Sequence, residues 1–195
     1  DVVIESATRT MEFASPFTAI ARVMAVRPLT ADITQLILRL PEDASLSYRP
    51  GQYLKIWLPD GSSRSFSMAS AELPDNQVDV HIRRIDGGYF TGEVLPRLVP
   101  GDTLNVEIPL GTFCYHEDDW RPMILAATGT GIAPLKAILQ ALLDNQDCPP
   151  VTLYWGMRTQ ADLYLKEEIE SWRGRLYDFN FIPVLSREGE LWRGR

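Results

Sequence analysis

The sequence predicts two units of different class, an antiparallel all-β unit (barrel or sandwich) followed by a parallel α/β unit. Three observations carry this. Six short strand-like runs separated by turn signals lie between residues 17 and 108. From residue 123 the texture becomes an alternation of apolar strands and helical patterns, the βαβαβ order of a parallel sheet. Between the first strand and first helix of that second unit lies a small-residue turn, Thr128-Gly129-Thr130-Gly131-Ile132-Ala133-Pro134.

The elements follow in order. Residues 1–14 are mixed and aperiodic, and read as a linker or tail. Ala19–Val26 and Ile33–Leu40 are strand-like, the second alternating in part (Ile33, Leu36, Leu38, Leu40) before it ends at Pro41. Pro50-Gly51 is a turn. Tyr53–Leu58 and Arg64–Ala69 form a hairpin about Asp60-Gly61. Val78–Arg84 alternates Val78, Val80 and Ile82 with Asp79, His81 and Arg83. Residues 87–98 break the rhythm as a short helix with Thr91 as its N-cap, leaving free N–H groups for an anion. Pro100-Gly101-Asp102 turns the chain into the last strand of the set, Leu104–Ile108. The boundary falls near residues 114–120, giving units over 15–114 and 120–195.

In the second unit the pattern gives strand Met123–Ala127, helix Ile132–Leu143, strand Val151–Trp155, helix Leu163–Trp172 and strand Phe179–Leu185. Asp162 is expected to cap the helix starting at Leu163. Trp57, Trp120, Trp155 and Trp172 read as packing residues.

The Gly turn holds the chemistry. Gly129 and Gly131 permit close approach of a ligand, and the helix start aims N–H groups and a positive dipole end at an anion. A phosphate or pyrophosphate suits it. Pro134 stands where a third Gly of the usual dinucleotide fingerprint would be, a position compatible with a helix start. In parallel sheets ligands bind beyond the carboxyl ends of the strands, where Thr128–Gly131 lies.

Bulk properties exclude some classes. The chain has 195 residues, 45% hydrophobic and 23% charged, as in ordinary globular proteins. A net charge of −7 argues against a nucleic-acid partner held by a basic surface. Two Cys and two His cannot build a zinc site or an iron–sulfur cluster from this chain alone. Cys114 and Cys148 read as two free thiols of a reducing cytoplasm, with a disulfide between them the alternative that the sequence leaves open. No apolar run reaches membrane-spanning length and no leader is recognisable, so no membrane partner is expected. The start at Asp1 and the stop after Trp192-Arg193-Gly194-Arg195 read as cuts from something longer.

The order of motifs resembles the ferredoxin–NADP⁺ reductase family. The carrying residues are Arg64-Ser65-Phe66-Ser67 for R-x-[YF]-[ST], Gly88-Tyr89-Phe90-Thr91 for G-x-x-[ST] and Pro109-Leu110-Gly111-Thr112-Phe113 for P-x-G-x-F. The Thr128–Pro134 turn follows, then Tyr154-Trp155-Gly156-Met157-Arg158 with Asp162-Leu163-Tyr164, and Val184-Leu185-Ser186-Arg187 with Trp192–Arg195. The match spans residues 17–195 and looks most like bacterial reductases of oxygenase systems, CDP-6-deoxyglucoseen reductases and NAD(P)H:flavin reductases.

The resemblance implies a six-stranded Greek-key flavin barrel before a nicotinamide domain, with FAD and NAD(P)H as cofactors. Arg64 would pair with a flavin phosphate, Ser65 belongs to the same motif, Phe66 would pack on the flavin ring, and Ser67 would hydrogen-bond near the flavin nitrogen that receives hydride. His81, Ile82 and Arg83 would flank the flavin mainly through backbone. Gly88, Tyr89, Phe90 and Thr91 would take the pyrophosphate. Thr128, Gly129, Thr130 and Gly131 would sit by the nicotinamide, with Thr128 and Ser67 the residues nearest the chemistry. Gly156 and Arg158 would lie near the adenosine half. Ser186 and Arg187 resemble a 2′-phosphate pair, while Glu188 and Glu190 beside them suit a ribose hydroxyl better.

The family's nicotinamide domain continues with further strands and a C-G-x-P motif that this chain lacks, so Met123–Ala127 is expected to be an exposed apolar edge. Asp1-Val2-Val3-Ile4-Glu5 resembles the linker after a plant-type iron–sulfur domain, which implies an iron–sulfur electron acceptor, fused upstream or separate. The implied activity is hydride transfer from NAD(P)H to FAD, then single electrons to that acceptor. The alternatives are a flavin reductase that releases reduced flavin, and a flavin- or nucleotide-binding fragment without turnover.

Overall fold

In a computed structural model the described residues are 12–143, 145 and 147–187. The first six strands are β1 (Phe17–Pro28), β2 (Ile33–Arg39), β3 (Tyr53–Trp57), β4 (Ser63–Ser67), β5 (Gln77–Arg83) and β6 (Thr103–Leu110). They form one antiparallel sheet in the order β4-β3-β6-β1-β2-β5, in which β6 returns between β3 and β1 in Greek-key fashion. The sheet curls into a nearly closed barrel, its end strands meeting through the Met68–Val80 bridge and a hydrogen bond from Ala69 N to Asp79 O.

The alternating inward residues fill the barrel. Leu36, Leu38, Leu54, Ile56, Val78, Val80, Ile82 and Ile108 are inaccessible to solvent. The hairpin at Asp60-Gly61 forms as expected, with Leu58 N donating to Ser62 O and Gly61 at φ 80°. Tyr48 locks a loop over one end, its hydroxyl donating to Ala71 O at 2.8 Å and lying 3.2 Å from Ser70 O.

Burial pushes the Tyr48 phenol up to about 12, from an ordinary value near 10. A group held neutral in the fold stabilises fully below its unfolded pKa and loses that contribution as pH rises through the folded one. Stability is therefore expected to fall by about 2–3 kcal/mol between pH 10 and 12, at roughly 1.4 kcal/mol per pKa unit. Urea unfolding across that window checks it; Tyr48→Phe should flatten the fall.

The second sheet is parallel, in the order β7-β8-β9, with β7 (Met123–Thr128), β8 (Val151–Met157) and β9 (Phe179–Leu185). Helix α1 (Ile132–Leu142) packs on it through Ile132, Leu135, Ile138, Leu139 and Leu142, the apolar stripe legible in the sequence. Among the described residues strand β7 is an edge strand with Ile124 76% exposed, in line with the expectation drawn from the resemblance.

Several details differ from expectation. The second helix, α2, is only Lys166–Ser171, because a separate turn at Gln160–Asp162 precedes it. Asp162 caps that turn, accepting from Thr159 N and Thr159 Oγ1 at 2.9 Å, and caps no helix at Leu163. Residues 89–94 form a wide π-turn followed by a 3-10 turn at Leu95–Arg97. Thr91 is not its cap. Its hydroxyl accepts from Ile85 N at 3.0 Å and lies 3.3 Å from Ile85 O, so it staples the preceding loop instead. Trp155 and Trp172 are buried, but Trp57 and Trp120 are exposed. Cys114 and Cys148 are buried free thiols. Of the tail, Glu12 O accepts from Arg49 Nε and the Phe13 ring lies under the Arg49 guanidinium. Residues 1–11 and the Trp192–Arg195 motif lie outside the described residues.

Candidate functional site

The barrel is closed at one point and open beyond it. Strand β4 gives its inner edge to β3, and β5 gives its own to β2, so each has one free edge facing the other. Among the described residues the two join only at Met68–Val80 and Ala69–Asp79. Carrying that antiparallel register outward sets Ser67 opposite His81 and Phe66 opposite Ile82, yet no ladder forms there. The result is a slot whose walls offer unpaired backbone donors and acceptors. Such groups need a partner when covered, and a flat heteroaromatic with hydrogen-bonding edges supplies one.

The slot collects most of the first-unit residues that the sequence singled out. Arg64 and Ser65 are exposed on β4, where Arg64 donates to Ser63 O at 2.8 Å and its charge also acts on Asp60. Phe66 and Ser67 are half-buried on the same strand. Gly88, Tyr89, Phe90 and Thr91 follow the end of β5. Phe90 is fully buried and tilts against Phe66 with ring centroids 5.6 Å apart, so the motif after β5 supports the wall made by β4. Tyr89, in contrast, is 48% exposed.

The carboxyl ends of β7, β8 and β9 bring the second set together. Thr128 ends β7 opposite Gly156 on β8, and a Cβ on Gly156 would meet Thr128 Cγ2 at 3.2 Å. Gly129 adopts φ 57°, and Gly129–Gly131, with Thr130 between, form a tight turn into α1. Trp155 Nε1 donates to Gly129 O at 2.9 Å and so holds the turn from below. Arg187 N donates to Arg158 O and Ser186 N to Met157 O, setting Ser186 and Arg187 beside Arg158. Arg158 and Arg187 are exposed and have no ion-pair partner among the described residues. Glu188 and Glu190 lie outside the described residues. Two free guanidinium groups and a Gly-lined turn at the ends of a parallel sheet fit an anionic dinucleotide.

The slot and the turn face one another. Arg83 reaches from the end of β5 to Gly129, where an added Cβ would sit 2.9 Å from its Nη1, and its Nε pairs with Asp32 at 3.2 Å.

Here the side chains of β5 do more than the expected backbone contacts. Ile82 is barrel core, but Asp79 and His81 are buried against the second unit. His81 Nδ1 and the Tyr164 hydroxyl are hydrogen-bonded at 3.1 Å, their rings edge to face. Asp79 Oδ2 accepts from Gln35 Nε2 at 3.0 Å and lies 3.6 Å from His81 Nε2 and 4.0 Å from Lys136 Nζ. Burial alone would raise the Asp79 carboxyl, but His81, Lys136 and Gln35 outweigh it and hold it below its ordinary value. Lys136 and Gln35 were not among the residues singled out from sequence, while Asp79 entered only through the alternation of its strand and Tyr164 only within the Asp162-Leu163-Tyr164 motif. A lone Lys in a helix apolar on nearly every side was the available signal.

Comparison with known proteins follows this division. Residues 21–115 match the oxidoreductase FAD-binding domain, and residues 125–195 match the oxidoreductase NAD-binding domain. The chain is 37% identical over 171 residues to reductase component 2 of terephthalate 1,2-dioxygenase from Comamonas sp, covering 88% of this chain and 51% of that protein. It is 33% identical over 163 residues to the CDP-6-deoxy-L-threo-D-glycero-4-hexulose-3-dehydrase reductase of Yersinia pestis, covering 84% and 49%. The Amycolatopsis cytochrome P450 reductase GcoB superposes with a TM-score of 0.84 at 32% identity, covering 95% of this chain and 57% of that one. The chain thus spans about half the length of the curated relatives it matches. No helix among the described residues is long and apolar enough to cross a membrane. With both domains matched in this order on this barrel and parallel sheet, the chain belongs to the ferredoxin–NADP⁺ reductase family of FAD- and NAD-binding oxidoreductases.

Proposed function

We propose that the protein containing this chain is a flavin oxidoreductase that takes electrons from NAD(P)H and delivers them to an iron–sulfur acceptor, in the same polypeptide or a separate protein. The observation that carries it is the open β4–β5 seam facing the Gly129 turn across Arg83. FAD, when bound, supplies the chemistry of accepting a hydride and releasing electrons singly.

The chain's residues bind and align. Arg64 carries an exposed permanent cation, suited to a flavin phosphate. Ser65 and the Gly88–Thr91 segment offer backbone and hydroxyl groups along the same anion. Phe66, backed by Phe90, gives the slot an aromatic wall, and Ser67 offers a hydroxyl inside it. His81, Ile82 and Arg83 present the facing backbone edge. On the other side Thr128, Gly129, Thr130 and Gly131 cradle the nicotinamide end, and Gly156, Arg158, Ser186 and Arg187 the adenosine end. Catalysis by such a pair of sites is mostly alignment. Units over residues 15–114 and 120–195, preceded by a linker at 1–14, fit this reading, as does a reducing, cytoplasmic setting for the two free thiols.

An anaerobic visible spectrum of the purified chain with FAD, before and after NADPH and then NADH, tests the proposal. Bleaching of bound flavin supports it, and the faster nucleotide identifies the donor. Reduced flavin that leaves the protein would favour a flavin reductase, and bound flavin that never bleaches would favour a binding fragment. Arg64→Ala is expected to weaken FAD binding about 10–100-fold, the scale of one or two charge-assisted hydrogen bonds. Unchanged affinity by fluorescence titration would remove Arg64 from the site.

A further inference from the structure

The buried polar cluster between the two units has a specific geometry. Lys136 is 6% exposed on α1, five residues after Gly131. Its ammonium donates to Ala69 O at 2.9 Å, lies 4.0 Å from Asp79 Oδ2 and pairs with Glu168 at 3.6 Å. Ala69 and Asp79 are the two residues whose backbones close the barrel seam. Lys136 therefore sits on the point where the slot begins, two residues beyond Ser67. On the opposite wall Tyr164 grips His81. Tyr164 also meets Trp155 edge to face at 5.3 Å, and Trp155 holds Gly129 O. One continuous set of contacts thus runs from the slot wall through His81, Tyr164 and Trp155 to the dinucleotide turn. A second runs from the seam through Lys136 along the helix that the turn begins.

Burying a lysine is costly unless it is paired and hydrogen-bonded. An apolar side chain at 136 would pack the same helix without that cost. The ammonium does what an apolar group cannot, which is to address one carbonyl of the other unit.

We infer that Lys136 and Tyr164 are positioning residues that hold the dinucleotide turn in register with the flavin slot. The inference rests on the proposed reductase reading for its kinetic consequence, but its structural consequence stands apart from it. Without these contacts the two units remain folded and able to bind their ligands, and lose their fixed mutual placement.

The test uses Lys136→Met, Tyr164→Phe and the double variant. In the absence of flavin, calorimetry of the unsubstituted chain should show one cooperative transition, and the double variant should show two, as the units unfold separately. A single transition retained in the double variant overturns the inference whatever the activity. With FAD bound, the rate of flavin bleaching by NAD(P)H should fall about 10–100-fold in each variant, with loss of the long-wavelength charge-transfer absorbance between flavin and nicotinamide. Flavin affinity, nucleotide affinity and reoxidation of dithionite-reduced flavin by ferricyanide should stay within about threefold. An unchanged bleaching rate in variants that hold FAD also overturns it. Failure of the unsubstituted protein to bleach would sink the reductase reading alone, and the calorimetric result would still decide the coupling.

Discussion

Trp155→Ala is expected to be among the most damaging single substitutions in the second unit. The side chain is fully buried in the core of the second unit and is the largest fully buried one among the described residues. Removing a buried Trp costs about 3–5 kcal/mol through lost burial and the cavity left behind. Two further contacts go with it: the indole hydrogen bond to Gly129 O and the edge contact with Tyr164. A fall in Tm of about 10 °C or more should accompany it, on the scale of about 2–4 °C per kcal/mol for a chain of this size. Trp155→Phe separates the causes. It keeps most of the volume and drops the hydrogen bond, so it should cost about 1–2 kcal/mol while weakening nucleotide binding. Equal nucleotide affinity in Trp155→Phe and the unsubstituted protein would show that the Gly129 turn does not depend on this bond.

Gly51→Ala is expected to have the second large effect. Gly51 adopts φ 109°, which a side chain rarely tolerates, and its Cβ would lie 2.5 Å from Phe113 O and 3.2 Å from Cys114 Cα. Both neighbours are backbone, so no rotamer change relieves the overlap. Either the Pro50-Gly51 turn or the strand exit after β6 must move, at a cost above about 2 kcal/mol. Gly61→Ala is the internal control. Gly61 also has a positive φ, of 80°, but open space around its Cβ position. It should cost only the conformational strain, about 1–2 kcal/mol. Denaturant titrations of the two variants compare them directly. Equal costs would mean that the close approach of Phe113 plays no part.

Much of the architecture was legible in the chain. The inward alternation of Leu36 and Leu38, and of Val78, Val80 and Ile82, is a local property, because a strand shows its two faces every second residue. Ile33, an odd number of residues from Leu36, faces the other way and packs in the core of the second unit. The α1 stripe and the Gly129 turn are equally local, whereas the edge position of β7 was expected only from the family resemblance. Capping was less legible, since Thr91 and Asp162 each had a competing partner close in sequence, Ile85 for the one and Thr159 for the other. A hydroxyl or carboxylate satisfies whichever backbone group the loop brings nearest, and the pattern does not say which. The exposure of Trp57 was hidden because an aromatic residue has the same letter on either face of a sheet, and that of Trp120 because it lies in the loop between β6 and β7, where no period marks a face.

The sequence alone thus carried the antiparallel and parallel sheets, their strands and the order in which they come, and it supplied the motif residues proposed for each ligand. The tertiary structure alone decided what covers the polar face of β5. Asp79, His81 and Arg83 alternate outward, which in sequence means only that they do not face the barrel core. That outward face is covered by Lys136 and Tyr164, residues 57 and 83 positions away from their partners Asp79 and His81. Hydrophobic periodicity records which side of an element avoids water. It carries no record of which distant element lies against the other side, because that follows from how two separately encoded cores are placed together.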